Sequence, residues 1–251
     1  MPFGPFGPFG TEPFIDRRDG QGYSSVMPRA ARIVLPEQPH HVTQRGNRRA
    51  DVFFADADRL RYLELLHDYG EQHRLEILGW CLMSNHIHLV LVPPDEAALG
   101  LVLRTVHMRY TQWVNRRQGW TGHLWQSRFF SCVLGEAHCW SAMRYVEQNP
   151  VRAGLVTAAE DYLWSSAAGH CGLRADPLAS GRWTEGLTPQ AWLAELRTPL
   201  DEETVARVRS RTMSGLPCGD ESFLARVSAL VGRELVARGR GRPPKDGGAQ
   251  Q

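Results

Sequence analysis

The chain has 251 residues, of which 42% are hydrophobic and 22% are charged, and its formal net charge is +2. This composition is ordinary for a folded protein with one sizeable domain and an extension. It excludes a membrane span, because no run approaches the roughly 18 apolar residues required, and no segment resembles a secretory signal. We therefore expect a cytoplasmic protein. The five cysteines are odd in number and form no C-x-x-C pair, which argues against a disulfide framework or a zinc ribbon.

Residues 2–10 repeat Pro-Phe-Gly three times, and residues 1–26 are rich in Gly and Pro without periodicity. Such a segment buries too little apolar surface to fold, so we expect residues 1–26 to be disordered. Met27 opens a more ordinary sequence, and translation from Met27 is an alternative start. The expected domains are a main domain over 27–170, a helical extension over 171–237 and a basic flexible tail over 238–251.

The main domain alternates strand and helix patterns in the order β-α-β-β-α-β-α. This is the order of a ferredoxin-like split β-α-β sheet covered by helices, so the expected fold class is α+β. Asp56 is the expected N-cap of the first helix. The predicted strands are 40–44, 75–82, 86–92 and 124–134; the predicted helices are 56–73, 96–117 and 137–148, followed in the extension by 189–197, 201–211 and 221–238.

The triplet His86-Ile87-His88 opens the third predicted strand. Successive side chains of a strand alternate between the faces of its sheet, so both imidazoles point to one face and Ile87 to the other. The pair is either a two-point metal clamp or two histidines satisfied by ordinary hydrogen bonds, because imidazole is a common ligand and the pattern is short. His40 and His41 alternate in the same way, so at most one of them can approach a shared site.

The helix predicted over 96–117 lies in a stretch without acidic residues, since residues 97–135 contain no Asp or Glu. Such a stretch suits a polyphosphate partner, although chance and a solvated helix face are the other explanation. Tyr110 lies on this helix. A phenol in its anionic form is a good nucleophile toward phosphorus, particularly beside a metal. Its place on the apolar stripe of the helix is more typical of a core tyrosine.

Four motifs now follow one another along the chain. They are Met83-Ser84-Asn85 before His86-Ile87-His88, Tyr110 in the acid-free helix, LWQSRF at 124–129 and YVEQNPVRAGL at 145–155. Together they resemble the single-tyrosine HUH transposase superfamily, specifically its REP-associated, RAYT-like branch. The resemblance runs from about residue 31 to residue 170, which is most of the main domain.

The resemblance implies a metal-dependent single-strand DNA endonuclease and strand transferase. His86 and His88 would bind Mg²⁺ or Mn²⁺ against the scissile phosphate, and Tyr110 would attack it to give a 5′-phosphotyrosine and a free 3′-OH. In relatives a polar residue one turn after the tyrosine completes the metal site, but Val114 occupies that position here. The nearby polar substitutes as a third ligand are Gln112 and Asn115.

Basic and aromatic side chains are the expected DNA contacts, because arginine contacts phosphate and an aromatic ring stacks on an unpaired base for about 1–3 kcal/mol. The aromatic residues could equally fill the core. The stretch RGRP at 240–243 resembles an AT-hook suited to a narrow minor groove, or is a nonspecific basic tail. The expected contacts are Arg45, Arg48, Arg49, Arg116, Arg117, Trp125, Arg128, Arg240 and Arg242.

The expected partner is single-stranded and hairpin DNA formed by palindromic repeats, with the protein in the cytoplasm at the nucleoid and without a membrane contact. A monomer and a homodimer both remain open. The alternative function is that of a domesticated protein that binds palindromic repeats without cleaving them. The departure at Val114 keeps this alternative open.

Overall fold

The computed structural model describes residues 31–176, 178–179 and 186–235. The segment 1–26, the alternative start at Met27 and the tail residues Arg240 and Arg242 lie outside these residues. The described chain from Arg32 onward belongs to one compact unit, in which helices of the extension contact the main domain. No described helix is long and apolar enough to cross a membrane.

A four-stranded sheet with the order β2-β3-β1-β4 lies at the centre of this unit. Each neighbouring pair of strands is antiparallel, as in a ferredoxin-like split β-α-β sheet. The predicted α+β fold class is therefore confirmed. The strands are β1 (His40–Arg45), β2 (Glu76–Leu82), β3 (His86–Val92) and β4 (Phe130–Val133).

The three long helices predicted in the main domain are present, with ends that differ from the predicted ones by one or two residues. The main domain contains α1 (Asp56–Gln72), α2 (Ala98–Gln118), α3 (Glu136–Glu147), α4 (Asn149–Arg152) and α5 (Ala167–His170). The extension contains α6 (Pro189–Arg197), α7 (Glu202–Ser214) and α8 (Glu221–Val231).

Each face of the sheet carries its own apolar core, because strand residues alternate between the faces. Ile87 and Leu89 of β3 belong to a core shared with α1 and α2, on what we call the helix-pair face. Val90 belongs to a second core, built with α3, α6 and α7, on what we call the α3 face. His86 and His88 share the parity of Val90, so they belong to the α3 face. The extension is therefore part of the packing around the histidine pair.

The prediction that Asp56 caps α1 is wrong, because Asp56 is the first helical residue and Ala55 is the N-cap. The capping carboxylate belongs to Asp58, whose Oδ2 accepts the backbone N–H of Ala55 at 2.8 Å and that of Phe54 at 2.6 Å. Asp58 is buried and forms an ion pair with Arg117 at 2.6 Å. An aspartate at the first or third helical position favours the same end of the helix, so the pattern alone did not distinguish them.

Two predicted elements are shorter in the structure. β4 begins at Phe130 and not at residue 124. Residues 124–126 instead form hydrogen bonds with the end of β1 and the turn after it: Asn47 N–H donates to Leu124 O, and Gln126 N–H donates to Arg45 O. The last helix ends at Val231 and not at residue 238, because Gly232 adopts the left-handed conformation with φ of 62°.

Gly46 follows β1 and holds the chain close to the turn before β3, since its N–H donates to Asn85 O at 2.8 Å. A Cβ at this position would lie 2.1 Å from the backbone oxygen of Ala50. We expect Gly46→Ala to lower the free energy of unfolding by about 1–3 kcal/mol in urea titrations. Gly100→Ala is the control: its Cβ meets nothing within 4 Å, so it should stabilise α2 by about 0.5–1 kcal/mol. Equal losses in both variants would contradict the steric account.

Candidate active site

His86 and His88 begin β3, directly after the turn at Asn85, and their rings form an edge-to-face pair with centroids 5.0 Å apart. A metal bonded to an imidazole nitrogen at about 2.1 Å lies about 3 Å from the ring centroid. Two rings at this separation can therefore share one ion. The expected clustering of the two imidazoles on one face is present.

Both histidines are held through Nδ1. His86 Nδ1 lies 2.6 Å from Asn85 Oδ1, and His88 Nδ1 lies 3.0 Å from His41 Nε2. His41 Nδ1 in turn lies 2.7 Å from Thr212 Oγ1 of α7. Among the described residues neither Nε2 of the pair has a recorded hydrogen bond. Such anchoring of one ring nitrogen orients the other toward a metal.

The histidine pair is uncharged at neutral pH. Burial first, and then the charges of Arg45 and Arg209, lower the pKa of His86 to about 4. Burial, His86, His41 and Arg152 hold the pKa of His88 well below its usual range. A neutral imidazole keeps the lone pair that a metal requires, so the donor set fits two positions of a divalent ion.

The residues described in the structure contain no group of three or more His, Cys, Asp and Glu side chains around a common point. Two imidazoles alone do not saturate Mg²⁺ or Mn²⁺, which take about six ligands and prefer oxygen. The remaining positions would go to amide, water or phosphate oxygens. Mn²⁺ is the better probe of this site, because imidazole nitrogen is a softer ligand than Mg²⁺ prefers.

Tyr110 does not lie with the histidine pair. It is fully buried in the core of the helix-pair face, and its hydroxyl donates to Val52 O at 2.6 Å. Burial, and then Asp58 and Tyr62, raise its pKa, which keeps the phenol protonated. The structure therefore places Tyr110 as a core tyrosine on the opposite side of the sheet from His86 and His88, and it does not support the predicted nucleophile.

Tyr145 of α3 is the tyrosine that contacts the histidines. Its ring stands edge-on to His88 with centroids 5.5 Å apart, and to His41 with centroids 5.6 Å apart. The guanidinium of Arg152 lies 4.2 Å from the centre of the Tyr145 ring. Tyr145 lies in the last of the four sequence motifs, which by itself predicted no role for it.

The two predicted substitutes for a third ligand do not lie with the histidine pair. Gln112 and Asn115 belong to α2 and line a separate cleft, and Asn115 Nδ2 donates to Gly122 O at 3.0 Å. The residue one turn after Tyr145 is Asn149, which begins α4 and is 9% exposed. The residue one turn later is the sequence signal that distinguishes the two tyrosines. It is an amide after Tyr145 but Val114 after Tyr110.

The predicted DNA contacts separate into three groups. Arg45 is the β1 partner of His86 and lies beside the pair, and the exposed Arg48 and Arg49 form the adjoining turn with positive φ. Arg116 is exposed on α2, whereas Arg117 is paired with Asp58. Trp125 and Arg128 line a cleft of about 770 Å³ beside α2. Arg152 and Arg209 were not among the predicted contacts, and both lie near the histidines.

Residues 37–149 match the family model described as "Transposase IS200 like". The match includes His86, His88 and Tyr145. These residues form a domain of the IS200-like transposase family. The resemblance seen in the sequence is thereby confirmed at the level of this family. A search among curated proteins finds no significant match.

One solved structure shows the same fold for this transposase domain, and a second is a weaker match. A REP-associated tyrosine transposase bound to a REP hairpin is 15% identical, with a TM-score of 0.51 over 61% of this chain and 98% of the other. A crystal structure from Deinococcus radiodurans R1, described as that of a transposase, is 20% identical, with a TM-score of 0.32 over 48% of this chain and 96% of the other.

Proposed function

We propose that this transposase is a metal-dependent single-strand DNA endonuclease and strand transferase with Tyr145 as its nucleophile. The observation that carries the proposal is the position of Tyr145, whose ring stands edge-on to His88 at 5.5 Å on the α3 face. A phenol, two neutral imidazoles and surrounding arginines are the groups that phosphodiester transfer by a tyrosine requires. Tyr110 has no part in this proposed chemistry.

In the proposed step the Tyr145 phenolate oxygen attacks the scissile phosphorus. A bond forms between that oxygen and phosphorus, the bond to the 3′-oxygen breaks, and the departing oxygen takes up a proton as a free 3′-OH. The product is a 5′-phosphotyrosine. Attack by another 3′-OH reverses the step and joins strands without an external energy source, because the covalent link keeps the free energy of the phosphodiester.

The neutral His86 and His88 would hold Mg²⁺ or Mn²⁺ through their Nε2 atoms, and the bound ion would stabilise negative charge on the phosphate oxygens. The arginines around the pair add to this effect. Arg45, Arg152 and Arg209 each lie close enough to lower the pKa of at least one histidine of the pair. The positive charge of these arginines around the neutral histidines attracts a phosphate group, which supports DNA as the ligand.

The cleft beside α2 is the second surface that we assign to DNA. Its described lining includes three arginines and no acidic residue. Burial is the largest cause that lowers the pKa of Arg32, and the charge of Arg128 is the next. Two positive charges therefore lie close together in this cleft. Gln44 Oε1 is buried with no recorded partner in the described chain and lies in the same lining. Clustered cations beside an unfilled acceptor suit an unpaired nucleotide of a hairpin-forming strand.

Arg128→Ala should weaken binding to hairpin DNA with a single-stranded flank and reduce the slope of log K against log salt by about 1. Fluorescence anisotropy at several salt concentrations measures both quantities. Arg117→Ala is the matched control on α2. Because Arg117 pairs with the buried Asp58, its loss should cost about 1–3 kcal/mol of stability and leave DNA affinity unchanged. The reverse pattern would contradict the assignment of the cleft.

The alternative of a non-cleaving DNA-binding protein depended on Val114, which lies one turn after Tyr110 in place of a polar metal ligand. With Tyr145 as the nucleophile, the residue one turn later is Asn149, so that departure disappears. The REP-associated transposase that shares the fold is described as bound to a REP hairpin, which supports hairpin DNA as the proposed substrate. We therefore favour the cleaving enzyme.

The experiment that tests the proposal compares His86→Ala and His88→Ala with the wild type on a hairpin oligonucleotide with single-stranded flanks and Mn²⁺. Loss of both ligands should abolish cleavage on denaturing gels while salt-sensitive DNA binding is retained. DNA binding that falls as far as cleavage would assign the histidines a structural role. Tight binding by the wild type with no cleavage in Mn²⁺ or Mg²⁺ would support the domesticated alternative.

A further inference from the structure

We infer that Thr212 of α7 and His41 of β1 are positioning residues that select the ring tautomer of His88, leaving its Nε2 lone pair free for a metal. The inference rests on the proposed function, because it concerns the same metal site. Its basis is a chain of hydrogen bonds from the extension to β3. The chain joins Thr212 Oγ1, His41 and His88 over distances of 2.7 and 3.0 Å.

The direction of this chain follows from the Thr212 hydroxyl. The O–H group of Thr212 donates to Val208 O, one turn earlier on α7, at 2.7 Å. A hydroxyl has a single proton, so Thr212 Oγ1 accepts from His41. His41 therefore carries its proton on Nδ1. Cys132 Sγ, at 3.3 Å, is placed to donate to the second lone pair of the same oxygen.

The tautomer of His41 then determines that of His88. A neutral imidazole has one N–H and one lone pair, so a proton on Nδ1 leaves the lone pair of His41 on Nε2. That lone pair accepts the Nδ1–H of His88 across 3.0 Å. His88 is left with its own lone pair on Nε2. The opposite assignment would place a proton on His88 Nε2 and block a metal bond there.

Burial favours a single arrangement of these hydrogen bonds. His41 and Thr212 are each 1% exposed, so water does not readily replace either partner. The planes of the two rings are also nearly parallel, with an angle of 11° between them and centroids 5.1 Å apart, as an in-plane hydrogen bond requires. A polar side chain at a helix-to-sheet contact costs stability unless its hydrogen bonds are made. The placement of Thr212 gives α7 a role at the proposed metal site beyond packing against the sheet.

The test uses full-length protein without metal, labelled with ¹⁵N-histidine, and long-range ¹H–¹⁵N NMR, which distinguishes protonated from unprotonated ring nitrogens. We expect His88 to be protonated at Nδ1 and unprotonated at Nε2. Thr212→Val should give His88 a mixture of tautomers and weaken Mn²⁺ binding in calorimetry about 10-fold or more. Thr212→Ser keeps the hydroxyl and should restore both the spectrum and the affinity.

Three results would overturn the inference: a wild-type His88 protonated at Nε2, a Thr212→Val protein with an unchanged spectrum and Mn²⁺ affinity, or a Thr212→Ser protein as impaired as Thr212→Val. The proposed function is tested separately by DNA adduct formation. A protein with the expected tautomers and their dependence on Thr212, but without any adduct, would support the inference and contradict the nuclease.

Discussion

Replacing Tyr145 by Phe is expected to reduce formation of a covalent protein–DNA adduct by at least about 1000-fold. The substitution removes only the hydroxyl oxygen that would bond to phosphorus, and the ring can keep its edge-on contact with His88. DNA binding should remain within a few-fold of the wild type. Denaturing electrophoresis of labelled hairpin DNA incubated with Mn²⁺ measures the adduct, and anisotropy measures the binding.

Tyr110→Phe is the matched control, because it removes the same atom from the tyrosine on the other face of the sheet. We expect it to form the adduct at close to the wild-type rate. It should lower the free energy of unfolding by about 1–3 kcal/mol, because Val52 O loses its buried donor. If Tyr110→Phe abolishes the adduct and Tyr145→Phe preserves it, the assignment of the nucleophile is wrong.

Replacing Glu147 by Ala is expected to cause the largest loss of stability. Its carboxylate is fully buried and joins α3 to the following segments: it accepts from Ser166 Oγ at 2.5 Å and Trp192 Nε1 at 2.8 Å, and pairs with His170 Nδ1 at 2.5 Å. Its removal takes this carboxylate acceptor away from Ser166, His170 and Trp192. We expect a loss of about 3–5 kcal/mol in urea unfolding, out of the 5–15 kcal/mol typical of a domain.

The same pair makes stability depend on pH. Burial lowers the pKa of His170 and is the largest single cause. The charge and hydrogen bond of Glu147, the charge of Asp176 and a backbone hydrogen bond from Leu78 together outweigh burial, so the pKa is raised above 6.5. A raised pKa in the folded state stabilises the protein below about pH 6.5, and this contribution is lost as pH rises through the folded value. Glu147→Ala should remove the dependence. Glu203→Ala, which breaks the exposed pair with Arg207, should change the free energy of unfolding by less than about 0.5 kcal/mol. The pH dependence of stability should be retained in this variant. A pH dependence that survives in Glu147→Ala would contradict this assignment.

The elements of the fold were predictable because their patterns are local. The alternation of His86, Ile87 and His88 defines a strand and a shared face, and α1 to α3 each carry an apolar stripe at helical spacing. The order of these elements then limits the sheet to few arrangements. The prediction that only one of His40 and His41 approaches the pair also followed from alternation, and His41 is the one that does.

The choice of tyrosine was not determined by the hydrophobic pattern. Both faces of β3 are apolar beyond the histidines, with Leu89 on one face and Val90 on the other, so the strand does not show which helix covers which face. Tyr110 and Tyr145 both lie on helices with buried stripes. The spacing to Asn149 distinguishes them, since only Tyr145 has an amide one turn later.

The contacts of the extension with the candidate site were also not predictable from the sequence. His41 and Thr212 are 171 residues apart in the chain, and neither lies in a pattern that predicts their contact. Arg209 approaches the histidine pair only because α7 packs against β4 and β1. Such contacts depend on how an extension docks, which hydrophobic periodicity does not specify.

The proposed function requires Tyr145 to become covalently attached to DNA. The direct measurement is to incubate the wild-type protein with Mn²⁺ and a hairpin oligonucleotide, trap the adduct, digest it and locate the modified residue by mass spectrometry. We predict a 5′-phosphotyrosine on the peptide that contains Tyr145. Attachment at Tyr110, or no adduct with either Mn²⁺ or Mg²⁺ despite tight DNA binding, would contradict the account.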